Sequence, residues 1–254
     1  MDKQNLYVIL VVYNKHLTDS PSFNNVINRG YSVIICDNST KDMENESAAV
    51  NNHCTYLSMY GNLGLSKAYN KAIDFIQKSN REMEGRVILL DDDTVLPEEY
   101  FEKCLENNDF DIYFPIVRDE NGILSPCEIS DDIPKRVSCI HSIKEISAIN
   151  SGMCISLSCF KDYRYDERYF LDYIDHAFIR DMRKKNKRFG LMNVIVYQNF
   201  SDVVNTKESA KNRLNIFLKD IHIYYENNLW KYVYLKCKRK LKLCIKYRDI
   251  SFLI

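Results

Sequence analysis

The sequence has no net charge, no long apolar run and no low-complexity linker. Its 35 Lys and Arg residues balance its 35 Asp and Glu residues, so the total charge favours neither a nucleic acid nor any other charged partner. No uninterrupted apolar stretch of about 18 residues occurs, which argues against a membrane-spanning helix. No internal repeat is found, and 254 residues are enough to bury a large core. We therefore expect one large folded domain, with or without an appendage.

The nine cysteines include no Cys-x-x-Cys pair. Their number is odd and several lie inside apolar runs, so we expect reduced, buried thiols and neither a disulfide framework nor a zinc site. The five histidines are scattered without the spacing of metal ligands. The first apolar run, Leu6–Val12, lacks a small-residue cleavage site, which is typical of a β-strand and not of a signal peptide.

Three consecutive carboxylates, Asp91, Asp92 and Asp93, directly follow four apolar residues at positions 87–90. The apolar run predicts a buried strand, so the three acids emerge together at its carboxyl end. Adjacent anions repel and need a counterion. Mg²⁺ and Mn²⁺ suit this role because they bind protein carboxylates together with substrate phosphates. The residues alone leave an alternative open, in which Asp93 or Thr94 simply caps the next helix.

Strand-like and helix-like segments alternate along the first half of the chain. Strands are predicted at 6–12, 31–36, 54–59 and 87–90. Apolar residues at three- and four-residue spacing predict a helix over 65–78. This alternation predicts an α/β fold with a Rossmann-like, mostly parallel sheet flanked by helices. Ligands bind beyond the carboxyl ends of such strands, where Asp37, Asn62 and the acidic triplet are expected to meet.

The second half of the chain shows weaker patterns. We predict, in order, a helix over 97–106, a strand over 110–117, a loop with one strand at most over 125–140, a strand or turn over 147–156, a helix over 176–187, a strand over 189–197 and a helix or helix pair over 206–228. Asp175 would then lie at the start of the helix over 176–187, where the helix dipole favours an anion.

Six short motifs follow one another along residues 6–230. They are Val11-Val12-Tyr13-Asn14, Val33-Ile-Ile-Cys-Asp-Asn-Ser39, Gly61-Asn62-Leu-Gly64-Leu-Ser-Lys-Ala68-Tyr-Asn70, Leu90-Asp91-Asp92-Asp93, Tyr165-Asp-Glu-Arg-Tyr-Phe-Leu-Asp-Tyr-Ile-Asp175 and Tyr224-Tyr-Glu-Asn-Asn228. In this order they resemble the family-2 inverting glycosyltransferases of the GT-A fold, and within them the bacterial rhamnosyltransferase-like members. Each motif is weak alone, so the resemblance rests on their order.

The resemblance implies a nucleotide-sugar site in the first half of the chain. The donor-binding residues would be Tyr13, Asn14, Asp37, Asn62, Gly64, Lys67, Asn70, Asp91 and Asp92. Asp37 would accept the pyrimidine N–H, and Asp91 would be shared between the ribose and a metal. Asp91 and Asp93 would hold Mg²⁺ or Mn²⁺, which would act as a Lewis acid on the diphosphate leaving group.

The resemblance also implies an acceptor site in the second half. Asp175 would be the general base that deprotonates an acceptor hydroxyl, and a single displacement would invert the anomeric configuration. The acceptor-binding residues would be Ser151, Gly152 and Asp172. The expected domains are a GT-A catalytic domain over 1–205, with a nucleotide-sugar half over 1–95 and an acceptor half over 96–205, and a helical, basic C-terminal extension over 206–254.

Several of these residues also suit a purely structural role. Asp37 lies in a cluster typical of a turn or a helix N-cap, and Asn62 and Gly64 suit an ordinary turn. Asp175 suits a cap for the helix that follows it. Asp172 lies close enough in sequence to compete for the role of base.

One position departs from the family pattern. Many relatives have a histidine after the final strand as a further metal ligand, whereas this chain has Gln198 there. Glutamine is a poorer metal ligand than histidine. We therefore expect the metal to be bound more weakly, or to be completed by water and donor phosphates, as magnesium tolerates.

Residues 227–248 contain eight Lys or Arg residues and no acid, interleaved with aromatic and aliphatic residues. This pattern is typical of an interfacial helix on an anionic bilayer. A nucleic-acid patch has a similar composition, but no recognised nucleic-acid module accompanies it, so we expect no nucleic acid partner. The other alternative is a helix packed on the domain with a solvated basic face.

The expected function is transfer of one sugar, from dTDP-rhamnose or a UDP-hexose, to a lipid-linked glycan in surface polysaccharide synthesis. The enzyme would be cytoplasmic and peripheral on the inner face of the plasma membrane. A sugar-phosphate nucleotidyltransferase is an alternative, but no strong glycine-rich basic loop occurs near Val12. A non-catalytic sugar- or membrane-binding protein of the same fold is another, and the intact carboxylate motifs argue against it.

Overall fold

The computed structural model describes residues 5–106, 109–198 and 206–253. Its strands are β1 Leu6–Val12, β2 Ser32–Asp37, β3 Thr55–Ser58, β4 Arg86–Leu90, β5 Ile112–Asp119, β6 Gly122–Ser125, β7 Cys127–Ser130, β8 Ile133–Lys135, β9 Ile146–Ser147, β10 Met153–Ser156 and β11 Phe189–Tyr197. Its α-helices are α1 Pro21–Val26, α2 Asn45–Asn51, α3 Leu65–Ser79, α4 Glu98–Glu106, α5 Ile174–Lys184, α6 Lys207–Tyr224 and α7 Leu229–Tyr247.

The central sheet has the strand order β11-β5-β10-β4-β1-β2-β3, and β6 pairs with β5. Strand β1 is parallel to β2 and β4, β2 is parallel to β3, and β5 is parallel to β11. Strand β10 lies between β4 and β5 and is antiparallel to both. The prediction of a mostly parallel α/β sheet is confirmed, with β10 reversed in its middle and β6 antiparallel to β5.

Helices cover both faces of the sheet, which is why β4 is buried along its whole length. Because side chains alternate along a strand, Val87 and Leu89 pack on one face with α3 and α5. Ile88 and Leu90 pack on the other face with α1 and α4. A strand covered in this way has no polar face, so its sequence reads as a continuous apolar run.

The segment between β6 and β10 differs from its prediction. A loop with one strand at most was expected over 125–140, but β7 and β8 both lie there. They join β9 in a separate three-stranded antiparallel sheet of order β8-β7-β9. The predicted strand or turn over 147–156 is also two strands, β9 and β10, which belong to different sheets. Strands of two to four residues are too short for a recognisable apolar period.

The C-terminal extension forms two helices, α6 and α7. The Thr206 side chain caps α6 by accepting the backbone N–H of Ser209 at 3.1 Å. Ile221 of α6 packs in the main core, and Leu214 packs against Leu243 of α7. Helix α6 therefore packs against the main core as well as against α7. Among the described residues, no helix combines the length and apolar character needed to cross a bilayer.

Candidate active site

Four segments meet at one edge of the central sheet. Strands β1, β4 and β11 end there, just before Tyr13, Asp91 and Gln198. Because β10 is antiparallel to β4, its amino end and the preceding Asn150 lie at the same edge. A cleft of about 740 Å³ opens at this edge, with α5 and α6 contributing to its walls. This volume is in the range of sites that bind small molecules.

The cleft contains part of the predicted site. The predicted residues in its lining are Tyr13, Asn62, Gly64, Asp91, Asp92 and Asp175. The predicted residues outside its lining are Asn14, Asp37, Lys67, Asn70, Asp93, Ser151, Gly152 and Asp172. The structure therefore brings the acidic turn after β4 and Asp175 of α5 to one cavity.

Two serines near the start of α1 hold the acidic turn after β4. The Ser22 hydroxyl accepts the backbone N–H of Thr94 at 2.8 Å and lies within hydrogen-bonding distance of the Asp91 carbonyl oxygen. The Ser20 hydroxyl donates to the Asp92 carbonyl oxygen at 2.7 Å. The sequence gives no local signal for either serine, because Ser22 lies 69 residues from Asp91 in the chain.

The three carboxylates of the turn have different surroundings. Burial raises the pKa of Asp91 to about 7, and the charges of Asp93 and Asp92 contribute to this rise. Burial also raises the pKa of Asp92, while the Lys15 ammonium, 3.1 Å from its carboxylate, opposes that shift. The Asp93 carboxylate accepts a hydrogen bond from Gln198 Nε2 at 3.4 Å. The turn thus concentrates negative charge that a bound cation would relieve.

The oxygen atoms around Gln198 suit a hard divalent cation. Gln198 Oε1 is buried without a hydrogen-bond partner, next to Asp93. Within the described ranges, no group of three or more His, Cys, Asp or Glu side chains is arranged to hold a metal. Carboxylate and amide oxygens are the ligands that Mg²⁺ prefers, together with water and substrate phosphates. Asp91, Asp93 and Gln198 therefore fit a partial metal shell that a phosphate ligand would complete.

Asp37 lies in a smaller neighbouring cavity of about 220 Å³. Its carboxylate accepts hydrogen bonds from the backbone N–H of Ser39 at 2.8 Å, Asn45 Nδ2 at 2.9 Å and the Tyr56 hydroxyl at 3.1 Å. Burial, together with this carboxylate, raises the pKa of Tyr56 to about 12. Asp37 therefore organises the β2–α2 loop, whatever else it binds.

Gly64 joins the first half of the chain to the second half. It has a φ of +88°, and a Cβ at this position would lie 2.7 Å from the Phe170 carbonyl oxygen. The next residue, Leu65, donates its backbone N–H to the same oxygen at 2.7 Å. Only glycine combines this left-handed backbone with so close an approach. The start of α3 is thereby docked against the loop that leads to Asp175.

Asn70 makes a second connection between the two halves. Its side chain accepts the backbone N–H of Tyr165 at 2.8 Å and donates to the Tyr165 carbonyl at 2.9 Å and to Glu167 at 3.2 Å. These bonds use both ends of the amide at a buried position. Asn70 therefore holds residues 165–167 in place from outside the cleft.

The predicted residues of the β10 turn contact the acidic turn and its surroundings. The Ser151 hydroxyl is 2.8 Å from the Thr94 hydroxyl and accepts the backbone N–H of Asp91 at 3.4 Å. The Gly152 carbonyl accepts the Tyr100 hydroxyl at 2.7 Å. This turn therefore supports the carboxylates from outside the cleft.

The remaining two predicted donor residues lie away from the acidic turn. The Asn14 side chain accepts the backbone N–H of Thr40 at 2.9 Å, which joins the end of β1 to the loop after β2. Lys67 is exposed to an intermediate degree in the first turn of α3. Neither side chain lines the cleft.

Asp175 lies in the first turn of α5 and lines the cleft. Its carboxylate accepts the backbone N–H of His176 at 2.7 Å, and the His176 ring nitrogen is 3.8 Å away. Among the described residues, no lysine or arginine forms an ion pair with it. Asp175 therefore has lone pairs available to a ligand in the cleft.

Asp172, by contrast, is engaged by Arg213 of α6. Both guanidinium Nη atoms donate to its two carboxylate oxygens, with Nη2 to Oδ1 at 2.6 Å. Arg213 also lines the cleft. Both carboxylate oxygens of Asp172 therefore have a charged hydrogen-bond donor in this structure.

Asp220 of α6 holds the loop from the other side. Its fully buried carboxylate accepts three consecutive backbone N–H groups, from Phe170 at 2.9 Å, Leu171 at 2.8 Å and Asp172 at 2.7 Å. Burial raises its pKa, and these three hydrogen bonds oppose that shift. Neither Asp220 nor Arg213 was among the predicted site residues. The sequence offered only a weak signal for Asp220, namely an acidic residue next to the apolar Ile221 on a predicted helix.

The motif at 224–228 lies at a second cavity of about 290 Å³, between the small sheet, α5 and the α6–α7 junction. Tyr224, Tyr225, Asn227 and Asn228 line it, together with His176. The first turn of α5 therefore borders both cavities, with Asp175 lining the cleft and the next residue lining this second space.

Comparison with solved structures supports the GT-A fold. The 1–349 fragment of TarS from S. aureus matches with a TM-score of 0.53 and 15% identity, covering 89% of this chain and 73% of that one. Glucosyl-3-phosphoglycerate synthase from Mycobacterium tuberculosis, in complex with Mn²⁺, UDP and phosphoglyceric acid, matches with a TM-score of 0.51 and 11% identity, covering 85% and 77%. A comparison with curated proteins finds no match.

The sequence itself identifies the family. The family model "Glycosyl transferase family 2" matches residues 7–163, which is more than half of the chain. The protein belongs to this glycosyltransferase family.

Proposed function

We propose that the protein is an inverting glycosyltransferase that moves one sugar from a nucleotide-sugar donor to a glycan acceptor. The observation that carries this proposal is the single cleft shared by the acidic turn at Asp91 and Asp92 and the carboxylate of Asp175. Family membership supports sugar transfer, and the mycobacterial neighbour with UDP and Mn²⁺ supports a nucleotide-bound donor.

The donor would bind along the edge formed by β1, β2 and β4. Its base would lie toward Asp37 and its diphosphate toward Asp91 and Asp93, with Asn62 and Gly64 on the opposite side. A bound Mg²⁺ or Mn²⁺ would supply Lewis-acid stabilisation to the departing diphosphate. The unpaired, buried Oε1 of Gln198 supports an additional oxygen ligand at this point.

Asp175 is the proposed general base. The acceptor oxygen forms a bond to the anomeric carbon as the bond from that carbon to the diphosphate oxygen breaks, and the nucleoside diphosphate leaves with the electron pair. The acceptor hydroxyl proton passes to Asp175. Attack from the face opposite the leaving group inverts the configuration. Asp172 is the weaker candidate because it lies outside the lining of the cleft, whereas Asp175 is part of that lining.

The finer identity of the substrates rests on the sequence resemblance. We propose dTDP-rhamnose or a UDP-hexose as donor and a lipid-linked glycan as acceptor. The rhamnosyl assignment depends on the motif at 224–228, which resembles a pattern of the rhamnosyltransferase-like branch.

A membrane partner is part of the proposal, and the exposed face of α7 supports it. Four side chains on this face are more than half exposed and form what we call the α7 stripe: Trp230, Tyr234, Leu241 and Ile245. Their spacing of four and seven residues puts them on one side of the helix. The opposite side, with Leu235 and Leu243, is buried.

Lysines at positions 231, 238, 240 and 242 lie on the two sides of the α7 stripe. An apolar stripe between cationic side chains suits the boundary between anionic headgroups and acyl chains. We therefore propose that α7 lies on an anionic membrane surface. A cytoplasmic enzyme on the inner face of the plasma membrane, acting on a lipid-linked acceptor, is consistent with this arrangement.

The test of the proposed function is the variant Asp175→Asn. It should bind a nucleoside diphosphate with Mn²⁺ as the wild type does, measured by calorimetry, and lose at least about 99% of sugar transfer. Asp181→Asn, on the same helix and outside the cleft, is the matched control and should keep its activity. Normal turnover by Asp175→Asn would remove Asp175 from the role of base.

A further inference from the structure

Arg213 is the only lysine or arginine among the described residues that line the cleft. The charged groups that share this lining are the carboxylates of Asp91, Asp92 and Asp175. The cleft therefore has a strongly acidic lining with one guanidinium at its α6 wall. An anionic ligand that enters it must find compensating positive charge, either from a metal ion or from Arg213.

In the structure Arg213 is held by Asp172. The guanidinium binds the carboxylate through two parallel N–H donors. The Arg213 side chain is 41% exposed and that of Asp172 is 18% exposed. Because Arg213 lines the cleft and its side chain is partly exposed, an anion in the cleft can reach the guanidinium and compete with Asp172 for it.

A diphosphate is such an anion. Guanidinium groups bind phosphate oxygens in the same bidentate geometry that they use for carboxylates. A diphosphate also carries more charge than one carboxylate, and its charge grows as the bond to the sugar breaks. The same atoms of Arg213 cannot serve Asp172 and a diphosphate together, so the two anions compete.

We infer that Arg213 binds the diphosphate of the donor, and that it leaves Asp172 to do so. This inference rests on the proposed function and names a residue that binds its diphosphate leaving group. Once released, the Asp172 carboxylate is free to accept a hydroxyl of the acceptor. Donor binding therefore prepares the acceptor side of the cleft.

The backbone of the loop stays in place during this exchange. Asp220 holds the N–H groups of Phe170, Leu171 and Asp172 through three hydrogen bonds that do not involve Arg213. Only the Arg213 and Asp172 side chains need to rotate. The exchange is thus a local change of ion-pair partner on a fixed scaffold.

Calorimetric titration with UDP and dTDP, in Mg²⁺, tests the inference through two variants with opposite expected effects. Arg213→Ala removes the guanidinium and should weaken diphosphate binding by about tenfold or more. Asp172→Asn removes the competing carboxylate and should strengthen it by about threefold or more. Uridine and thymidine, which lack phosphates, should bind all variants equally.

The opposite signs separate this role from a structural one. Both variants break the same ion pair, so a loss of local order would weaken binding in both. Lys211→Ala, an exposed position on the same helix, is the matched control and should bind like the wild type. Equal diphosphate affinity in Arg213→Ala and wild type, or weaker binding in both variants, overturns the inference and leaves the proposed function intact. A wild-type protein that binds neither diphosphate overturns the proposed function.

Discussion

The carboxylate of Asp220 accepts the backbone N–H of Leu171 at 2.8 Å, across 49 residues of chain. With the neighbouring N–H groups of Phe170 and Asp172, this fixes the loop immediately before α5. Helix α6 therefore fixes the loop that places Asp175 at the start of α5.

We predict that Asp220→Asn loosens this loop. An asparagine offers one acceptor oxygen and an amide group that cannot accept, so at least one buried N–H loses its partner. The free energy of unfolding should fall by about 2 kcal/mol, measured by urea denaturation. The rate of sugar transfer should fall as well, with the KM for the donor unchanged. Lys219→Gln, the preceding residue on α6, is the control, and equal stability of the two variants would contradict the assignment.

We predict that Gly64→Ala is strongly destabilising. The new Cβ would collide with the Phe170 carbonyl oxygen at 2.7 Å, in addition to the cost of a left-handed backbone. The expected loss is about 3 kcal/mol, measured by thermal or urea unfolding. Gly30→Ala is the matched control because Gly30 has a similar φ of +76°, and a Cβ added there would meet no atom within 4 Å. It should lose only about 1 kcal/mol. Similar losses at both sites would show that the contact with Phe170 is unimportant.

We predict that Gln198→His strengthens metal binding. Imidazole nitrogen is a better ligand for Mn²⁺ than an amide oxygen, and Gln198 lies beside Asp93 with its Oε1 unpaired. The affinity for Mn²⁺ in the presence of UDP should rise by about tenfold, measured by calorimetry. Gln77→His on α3 provides the control, since Gln77 bonds to Arg164 outside the cleft. Unchanged Mn²⁺ affinity would exclude Gln198 from the metal shell.

We predict that the α7 stripe drives binding to anionic vesicles. The double variant Trp230→Ala, Ile245→Ala should sediment with phosphatidylserine-containing vesicles at least about tenfold less than wild type. Wild-type binding should also weaken at high salt and with purely zwitterionic vesicles. Val50→Ala, an exposed apolar residue elsewhere on the surface, is the control. Binding that survives the double variant would place the membrane contact on another surface.

The sequence predicts the regular parts of this fold because their signals are local. The buried strands β1 and β4 follow from continuous apolar runs, and the apolar spacing predicts helix α3 to within one residue. The short strands β7, β8 and β9 are not predicted because they carry no complete apolar period. Their pairing depends on neighbours that a local pattern does not reveal.

The candidate site also contains residues that the sequence predicts and residues that it does not. Asp91 is predicted at the cleft because an acid that directly follows a buried strand must lie at the edge of the sheet. Arg213 and Asp220 are not predicted, because their partners lie 41 to 50 residues away in the chain. The roles assigned to Asp37, Asn70 and Asp175 from the family resemblance stay predictions.

Helix α6 connects the C-terminal extension to the loop before Asp175 through Arg213 and Asp220. This connection limits where the chain can be truncated. A chain shortened to residue 205 would lose Arg213 and Asp220, leaving three backbone N–H groups just before α5 without their carboxylate partner. A chain shortened after residue 228 would keep both. The proposed membrane contact on α7 is thus separate in sequence from the two α6 side chains, Arg213 and Asp220, that hold the loop before Asp175.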